Sequence, residues 1–248
     1  MVDHLKKIDL VVPCAGMGSR LGFLTKKITK NMLKINGISI LEHQLNKFLI
    51  HKEKIGILHF IIGYKANILK SYILSLNLPY KIKFHINKNY KKTGCAYSFL
   101  QALKYLKNDI LVINSDLIFE QKIINNLFNN KKNNFVFLRK PILNKKMRAV
   151  KAIIKNNRIV KIDILNKDFN FEVVGPFKIS SKSLTILKKI CKKLEIDNVI
   201  NLCCYTLFGK ILNQIKINYN IIKDSDWYEV NTFEEYKQSF KKKIFKYK

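Results

Sequence analysis

From residue 8 to residue 139 the chain alternates short apolar runs with amphipathic ones, and this alternation limits the fold class more than any other feature. The runs at 8–13 (IDLVVP), 57–62 (ILHFII), 81–86 (KIKFHI), 109–113 (DILVI) and 134–139 (NFVFLR) predict strands. Helix-period patterns at 39–51, 65–76, 95–107 and 120–129 separate them. Such a succession predicts a parallel sheet covered by helices on both faces. In sheets of this kind ligands bind beyond the carboxyl ends of the strands.

The pattern changes after residue 140. VKAIIKNNRIVKIDI reads as two strands turned at Asn156-Asn157, and FEVVGPFKI (171–179) as a further strand. Helices are expected at 181–194 and 198–213, a strand at 215–222 and a last helix from about 232. There is no internal repeat and no linker rich in Pro, Gly or Ser. The expectation is an α/β protein with a Rossmann-like, mixed, mostly parallel sheet and a small β insertion. One domain covers 1–248, with a substrate-side insertion at about 140–180.

The first strand empties into VVPCAGMGSRLGFLTKKITK, where two glycines precede fixed positive charge. Glycine lets backbone N–H groups approach a ligand closely, so a phosphate chain is the natural guest. Two familiar phosphate loops fail on spacing. A dinucleotide fingerprint needs a third glycine where Leu21 stands, and G-x-x-x-x-G-K-[ST] is absent. The stretch between strand and helix is long for a compact domain, which marks a functional loop. Its apolar residues (Met17, Leu21, Phe23, Leu24 and Ile28) argue against disorder.

The formal net charge of +30 suggests polyanion binding, but its make-up argues otherwise. Only Arg20, Arg139, Arg148 and Arg158 are arginines, and the lysines spread over the whole chain beside abundant Asn and Ile. A nucleic-acid reader more often clusters Arg with stacking aromatics. The field still attracts anionic substrates. Five cysteines (14, 95, 191, 203 and 204) show no C-x-x-C spacing, and no histidine pairs with one at ligand spacing, so they read as buried reduced thiols rather than a zinc site. No apolar run reaches membrane-spanning length and no signal peptide is evident, which predicts a cytoplasmic protein without membrane insertion.

The segment VVPCAGMGSRLGFLTKKITKNMLKINGISILEHQL resembles the signature of the sugar-phosphate and phosphocholine nucleotidyltransferases. That signature is an apolar strand, A-G-x-G-[ST]-R-[LM], L-T, P-K and L…G-x-P-[IL]-L. Ala15, Gly16, Gly18, Ser19, Arg20, Leu21, Leu24, Thr25, Lys30, Leu33, Gly37 and Leu41 match it. Cys14 replaces an Ala, and Thr29 and Ser39 each replace a Pro. Further on, NKNYKKTGCAYSFLQAL resembles an element of small cytidylyltransferases, with Gly94 where Asn is common. ILVINSDLIFE resembles the strand that ends in the metal-binding aspartate, here Asp116, and SDWYEVNTFEEY resembles the closing element.

The resemblance implies the nucleotide-diphospho-sugar transferase fold and transfer of an NMP unit, most readily CMP from CTP, to a phosphorylated small molecule. Amides of Ala15, Gly16, Met17, Gly18 and Ser19 would cradle the phosphates, with Gly94 also on the nucleotide. Arg20 and Lys30 would be catalytic. Asp116 would bind Mg²⁺ together with Glu229 or Asn231, Asp226 being a third possibility. Trp227 is as readily a packing residue as a site residue. Phe171, Glu172 and Phe177 are candidate acceptor contacts. The alternatives are a sugar-1-phosphate enzyme using UTP, GTP or dTTP, and a non-catalytic relative that binds nucleotides or nucleic acid. Oligomeric state is left open.

Overall fold

Strand β1 (Ile8–Cys14) is almost entirely buried because it runs between two parallel neighbours in the middle of the sheet. In this computed structural model residues 7–141, 149–164, 168–194, 200 and 202–245 are described. Arg148, parts of the insertion (142–148 and 165–167) and parts of the helix expected at 198–213 (198, 199 and 201) lie outside the described residues.

After β1 come a short antiparallel pair, β2 (Lys34–Ile35) and β3 (Ile38–Ser39), then α1 (Ile40–Leu49), β4 (Ile55–Ile62), α2 (Ala66–Ser75) and β5 (Lys81–Ile86). Next follow α3 (Cys95–Leu103), β6 (Asp109–Val112), β7 (Leu117–Phe119), α4 (Gln121–Asn129) and β8 (Phe135–Arg139). The remainder holds β9 (Val150–Lys155), β10 (Arg158–Asp163), β11 (Phe171–Ile179), α5 (Ser181–Cys191), α6 (Cys204–Gly209), β12 (Asn218–Ile221), β13 (Trp227–Glu229) and α7 (Phe233–Ser239).

The main sheet has nine strands in the order β10-β9-β11-β6-β1-β4-β5, with β8 pairing β11 and β12 pairing β8. Only β10 and β11 run against the others, which gives the mixed, mostly parallel sheet expected. From β1 the chain first builds outward through β4 and β5, then crosses back to place β6 on the other side of β1. That reversal opens a crevice at the carboxyl ends of β1 and β6, where α/β sheets bind ligands.

Local signals explain the elements. Ser39 caps α1, with Glu42 completing the reciprocal capping box, and Thr232 and Glu235 do the same for α7. Asn156 and Asn157 both take positive φ (48° and 56°), which turns β9 into β10. One apolar core covers each face of the sheet. Phe99, Phe177, Tyr205 and Phe208 lie in one, and Phe48, Phe60, Phe119 and Phe137 in the other. The helix expected at 198–213 is shorter in the structure. Leu202 and Cys203 are extended, α6 ends at Gly209, and turns follow. Likewise α3 stops at Leu103 rather than at 107. Among the described residues no helix is long and apolar enough to cross a membrane.

Candidate functional site

The loop after β1 is held open by its own backbone. Gly18 takes φ 65°, and a Cβ there would sit 3.2 Å from Cβ of Lys30 and from Cγ2 of Thr25. Above Gly16, by contrast, a Cβ would meet nothing within 4 Å, so bare backbone faces open space. Thr25 Oγ1 donates to the carbonyls of Gly18 (3.2 Å) and Gly22 (3.3 Å), closing the loop on itself. From the turn between β4 and α2, Tyr64 donates its hydroxyl to Thr25 O at 2.8 Å and its amide to Ala15 O at 3.0 Å.

Opposite this loop lies the turn after β6. Gln44 on α1 donates to the carbonyls of Asn114 (2.8 Å) and Leu117 (2.6 Å), and Asn31 donates to Ser115 O at 3.1 Å. These bonds fix the backbone on both sides of Asp116. The short ladder between β7 and β13 then brings Glu229 opposite Leu117, and the Val230 amide donates to Asp116 O at 3.1 Å.

Four predicted residues meet here. Lys30 Nζ lies 2.6 Å from Asp116 Oδ2 and 3.2 Å from Asn231 Oδ1, while Arg20 Nη2 donates to the same Asn231 oxygen at 2.9 Å. Asn231 is in turn positioned by Glu235, which accepts its amide at 2.9 Å and so ties it to the cap of α7. Arg20, Asn114, Asp116 and Asn231 form a wall between two cavities. The first, about 310 Å³, is lined by Ala15, Gly16, Gly18, Ser19, Lys30, Tyr90, Thr93, Gly94, Cys95 and Ser98 besides the shared wall. The second, about 550 Å³, adds Arg139, Val173, Val174, Cys203, Tyr205, Trp227, Glu229 and Glu235.

The donor set suits a hard divalent cation. Asp116 Oδ1 is buried with no hydrogen-bond partner among the described residues. Glu229, half-buried, is pushed up to about 7 by desolvation and then by the neighbouring Asp116 carboxylate. Crowded carboxylate oxygens of this kind are what Mg²⁺ relieves, so the residues fit the ion. The Asn231 oxygen already accepts from two cationic side chains, which leaves Asp116 and Glu229 as the better pair.

Other expectations fare differently. Met17 is 37% exposed and lies outside both cavity linings. The Gly94 amide is committed to the carbonyl of Ile200, so Gly94 meets the first cavity through its backbone surface rather than a free donor. Asp226 pairs with Lys122 at 2.6 Å and accepts the Lys223 amide, and is absent from both cavity linings. Phe177 is fully buried, Phe171 packs against the same core, and Glu172 is buried in an ion pair with Arg139 (2.5 Å to Nη2), so none of the three lines the second cavity. Arg139 and Trp227 line it instead, the guanidinium 5.1 Å from the centre of the indole. The sequence signal for Arg139 was its rarity as one of four arginines among 47 basic residues.

A family model described as "Domain of unknown function (DUF6564)" matches residues 34–243. A stretch of 117 residues is 36% identical to the "Bifunctional protein GlmU" of Methanococcus vannielii, covering 47% of this chain and 26% of that protein. Another of 113 residues is 32% identical to a D-glycero-alpha-D-manno-heptose 1-phosphate guanylyltransferase of Campylobacter jejuni, covering 46% and 49%. The matches thus span about a quarter to a half of these curated relatives. Among solved structures, the inositol-1-phosphate CTP transferase from T. maritima has a TM-score of 0.74 at 17% identity, over 96% of this chain and 97% of that one. The fold is therefore that of the nucleotide-diphospho-sugar transferases.

Proposed function

Because the chain belongs to the DUF6564 family and shares its fold with nucleotidyltransferases, we propose that it transfers an NMP unit from an NTP to a phosphorylated small molecule, releasing pyrophosphate. The observation that carries this reading is the meeting of Lys30, in the first cavity, with Arg20, Asn231 and Asp116 on the wall it shares with the second. One cavity would take the NTP and the other the acceptor, so the reacting phosphates would meet at that wall. The new P–O bond forms from an acceptor phosphate oxygen as the α–β phosphoanhydride bond breaks, and no protein nucleophile is needed.

The chain's own work is then positional and electrostatic. The exposed backbone at Gly16, Gly18 and Ser19 would receive phosphate oxygens. Arg20 would present its planar fork to the NTP. Lys30, in the first cavity beside the shared wall, would offset repulsion between the α-phosphate and the incoming phosphate. Asp116 and Glu229 would hold Mg²⁺, with Asn231 available once Lys30 turns toward phosphate. When bound, that ion supplies charge neutralisation at the α-phosphate.

CTP is the favoured donor. NKNYKKTGCAYSFLQAL, the stretch similar to small cytidylyltransferases, lines the first cavity through Tyr90, Thr93, Gly94, Cys95 and Ser98, and one fold neighbour matched nearly end to end is named for CTP, beside others named as a thymidylyltransferase and a UDP-glucose pyrophosphorylase. The GlmU and guanylyltransferase relatives support the other reading, a sugar-1-phosphate enzyme using UTP, GTP or dTTP. For the acceptor, Arg139 already covers a face of Trp227. A quaternary ammonium would have to compete for that face, which favours a phosphosugar over phosphocholine. The segment 140–180 would form the acceptor side.

The test is pyrophosphate release with each NTP in turn against phosphocholine, phosphoethanolamine and a set of sugar 1-phosphates, with Asp116→Ala as control. Release with one pair, lost in the variant, supports the reading and names its substrates. Silence across the panel, with no NTP binding by calorimetry, would sink it.

A further inference from the structure

Three of the five thiols come together in space, although Cys95 stands more than a hundred positions from the adjacent Cys203 and Cys204. The Sγ atoms of Cys95, Cys203 and Cys204 lie within 4.8 Å of one another, and Cys191 is not among them. Cys95 is the first residue of α3, Cys203 caps α6 and Cys204 is its first residue. Backbone bonds clamp the two segments edge to edge: the Gly94 amide donates to Ile200 O, and the Ala96 amide to Leu202 O at 2.9 Å. The trio therefore does not depend on side-chain rotamers alone.

The cluster lies at the seam between the two cavities. Cys95 lines the first and Cys203 the second, both half-buried, while Cys204 is buried behind them. Metal–thiolate bonds of about 2.3 Å place sulfurs roughly 3.8–4.0 Å apart, so small rotamer adjustments suffice to enclose an ion. The surplus of positive charge over the whole chain favours an anionic M–S₃ centre.

We propose that Cys95, Cys203 and Cys204 form a three-thiolate site for a soft d¹⁰ divalent cation such as Zn²⁺ or Cd²⁺, with its fourth position turned toward the cavities. The site is chemically separate from the oxygen donors Asp116 and Glu229. Sulfur selects soft ions and carboxylate oxygen hard ones. On binding, the thiol protons leave to solvent.

The reduced full-length chain, free of Mg²⁺, is titrated with Cd²⁺ while ultraviolet thiolate-to-metal charge transfer is followed. The expected result is saturation at one ion per chain, with affinity reduced at least a hundredfold in Cys203→Ser and in Cys95→Ser, and unchanged in Cys191→Ser. Zn²⁺ added first should compete for the same site and protect Cys95 and Cys203 from iodoacetamide. Circular dichroism checks the fold of each variant, and if one serine variant unfolds the other decides. No one-to-one band, or a band indifferent to both serine substitutions, overturns the proposal. Because no readout is an activity, failure here leaves the nucleotidyltransferase reading untouched, and the reverse holds as well.

Discussion

The ammonium of Lys30 lies 2.6 Å from Oδ2 of Asp116, although 86 positions separate them in sequence. Their side chains are only 14% and 16% exposed, so the pair is shielded from solvent on most sides. The fold spends three anchors, from Gln44, Asn31 and Val230, on fixing the backbone around the aspartate. Those anchors make the contact a property of the fold rather than of two flexible chains.

Replacing Lys30 by Met removes a charge aimed at the wall between the cavities. By analogy with other pre-placed charge donors, pyrophosphate release should fall by about 10²–10³-fold. Asp116→Ala should fall comparably, and the double variant by much less than the product, since both act on one phosphate. Steady-state rates on the three proteins decide the matter; multiplicative losses would mean the two residues work apart.

Asn231 accepts from both Arg20 and Lys30 through one oxygen. An Asn231→Asp exchange adds a carboxylate beside Asp116 and Glu229. The half-saturating Mg²⁺ concentration for activity is expected to drop by about tenfold, the effect of roughly 1.4 kcal/mol of added attraction. An unchanged Mg²⁺ curve would place the ion elsewhere.

Arg139 and Glu172 are both almost wholly buried, 2.5 Å apart at the closest approach. Removing one member of such a pair strands the other charge, at a cost of about 3–5 kcal/mol. Arg139→Met should therefore move the urea midpoint downward far more than Trp227→Ala does. Equal midpoints in these two variants would contradict this account.

His85 is buried, 2.9 Å from the ring of His59, and stacked on Tyr105. Desolvation, followed by His59, Lys83 and Lys104, pushes it down from 6.5 to about 4. The folded state thus favours the neutral ring, while the unfolded chain takes up the proton first. Stability is fully present above pH 6.5 and declines as pH falls from there to 4, by at most roughly 3 kcal/mol. Asp9, held below its ordinary value against the pull of burial by His59 3.5 Å away and by the Ile57 amide, extends the loss to lower pH. Thermal melts of the chain and of His85→Phe across this window should diverge, the variant giving the flatter curve.

Much of the sheet was legible because strand and helix periods differ and each strand here is short and apolar. The Asn156-Asn157 turn was legible for a separate reason, since Asn tolerates positive φ. NLCCYTLF misled because a continuous apolar run fits an extended segment as well as a helix, and the amides of Gly94 and Ala96 pulled its start into extended pairing. The residues of the first cavity share local motifs, so the resemblance of those motifs to a known signature pointed to Arg20, Lys30 and Asp116. The second cavity is assembled from β8, β11, β13 and the start of α6. Nothing local distinguishes Arg139, which faces it, from Glu172, which pairs with Arg139 out of its reach. The convergence of Cys95 with Cys203 and Cys204 is likewise a tertiary fact.

Tyr64 closes the account of the glycine loop. Its hydroxyl holds Thr25 and its amide holds Ala15, so the start and the far end of the loop hang from a single residue of a later strand–helix junction. The loop is therefore not a portable cassette. A chimera that exchanges residues 15–30 between relatives but leaves position 64 behind would carry the motif without the scaffold that tensions it, whereas moving both together transfers a working unit.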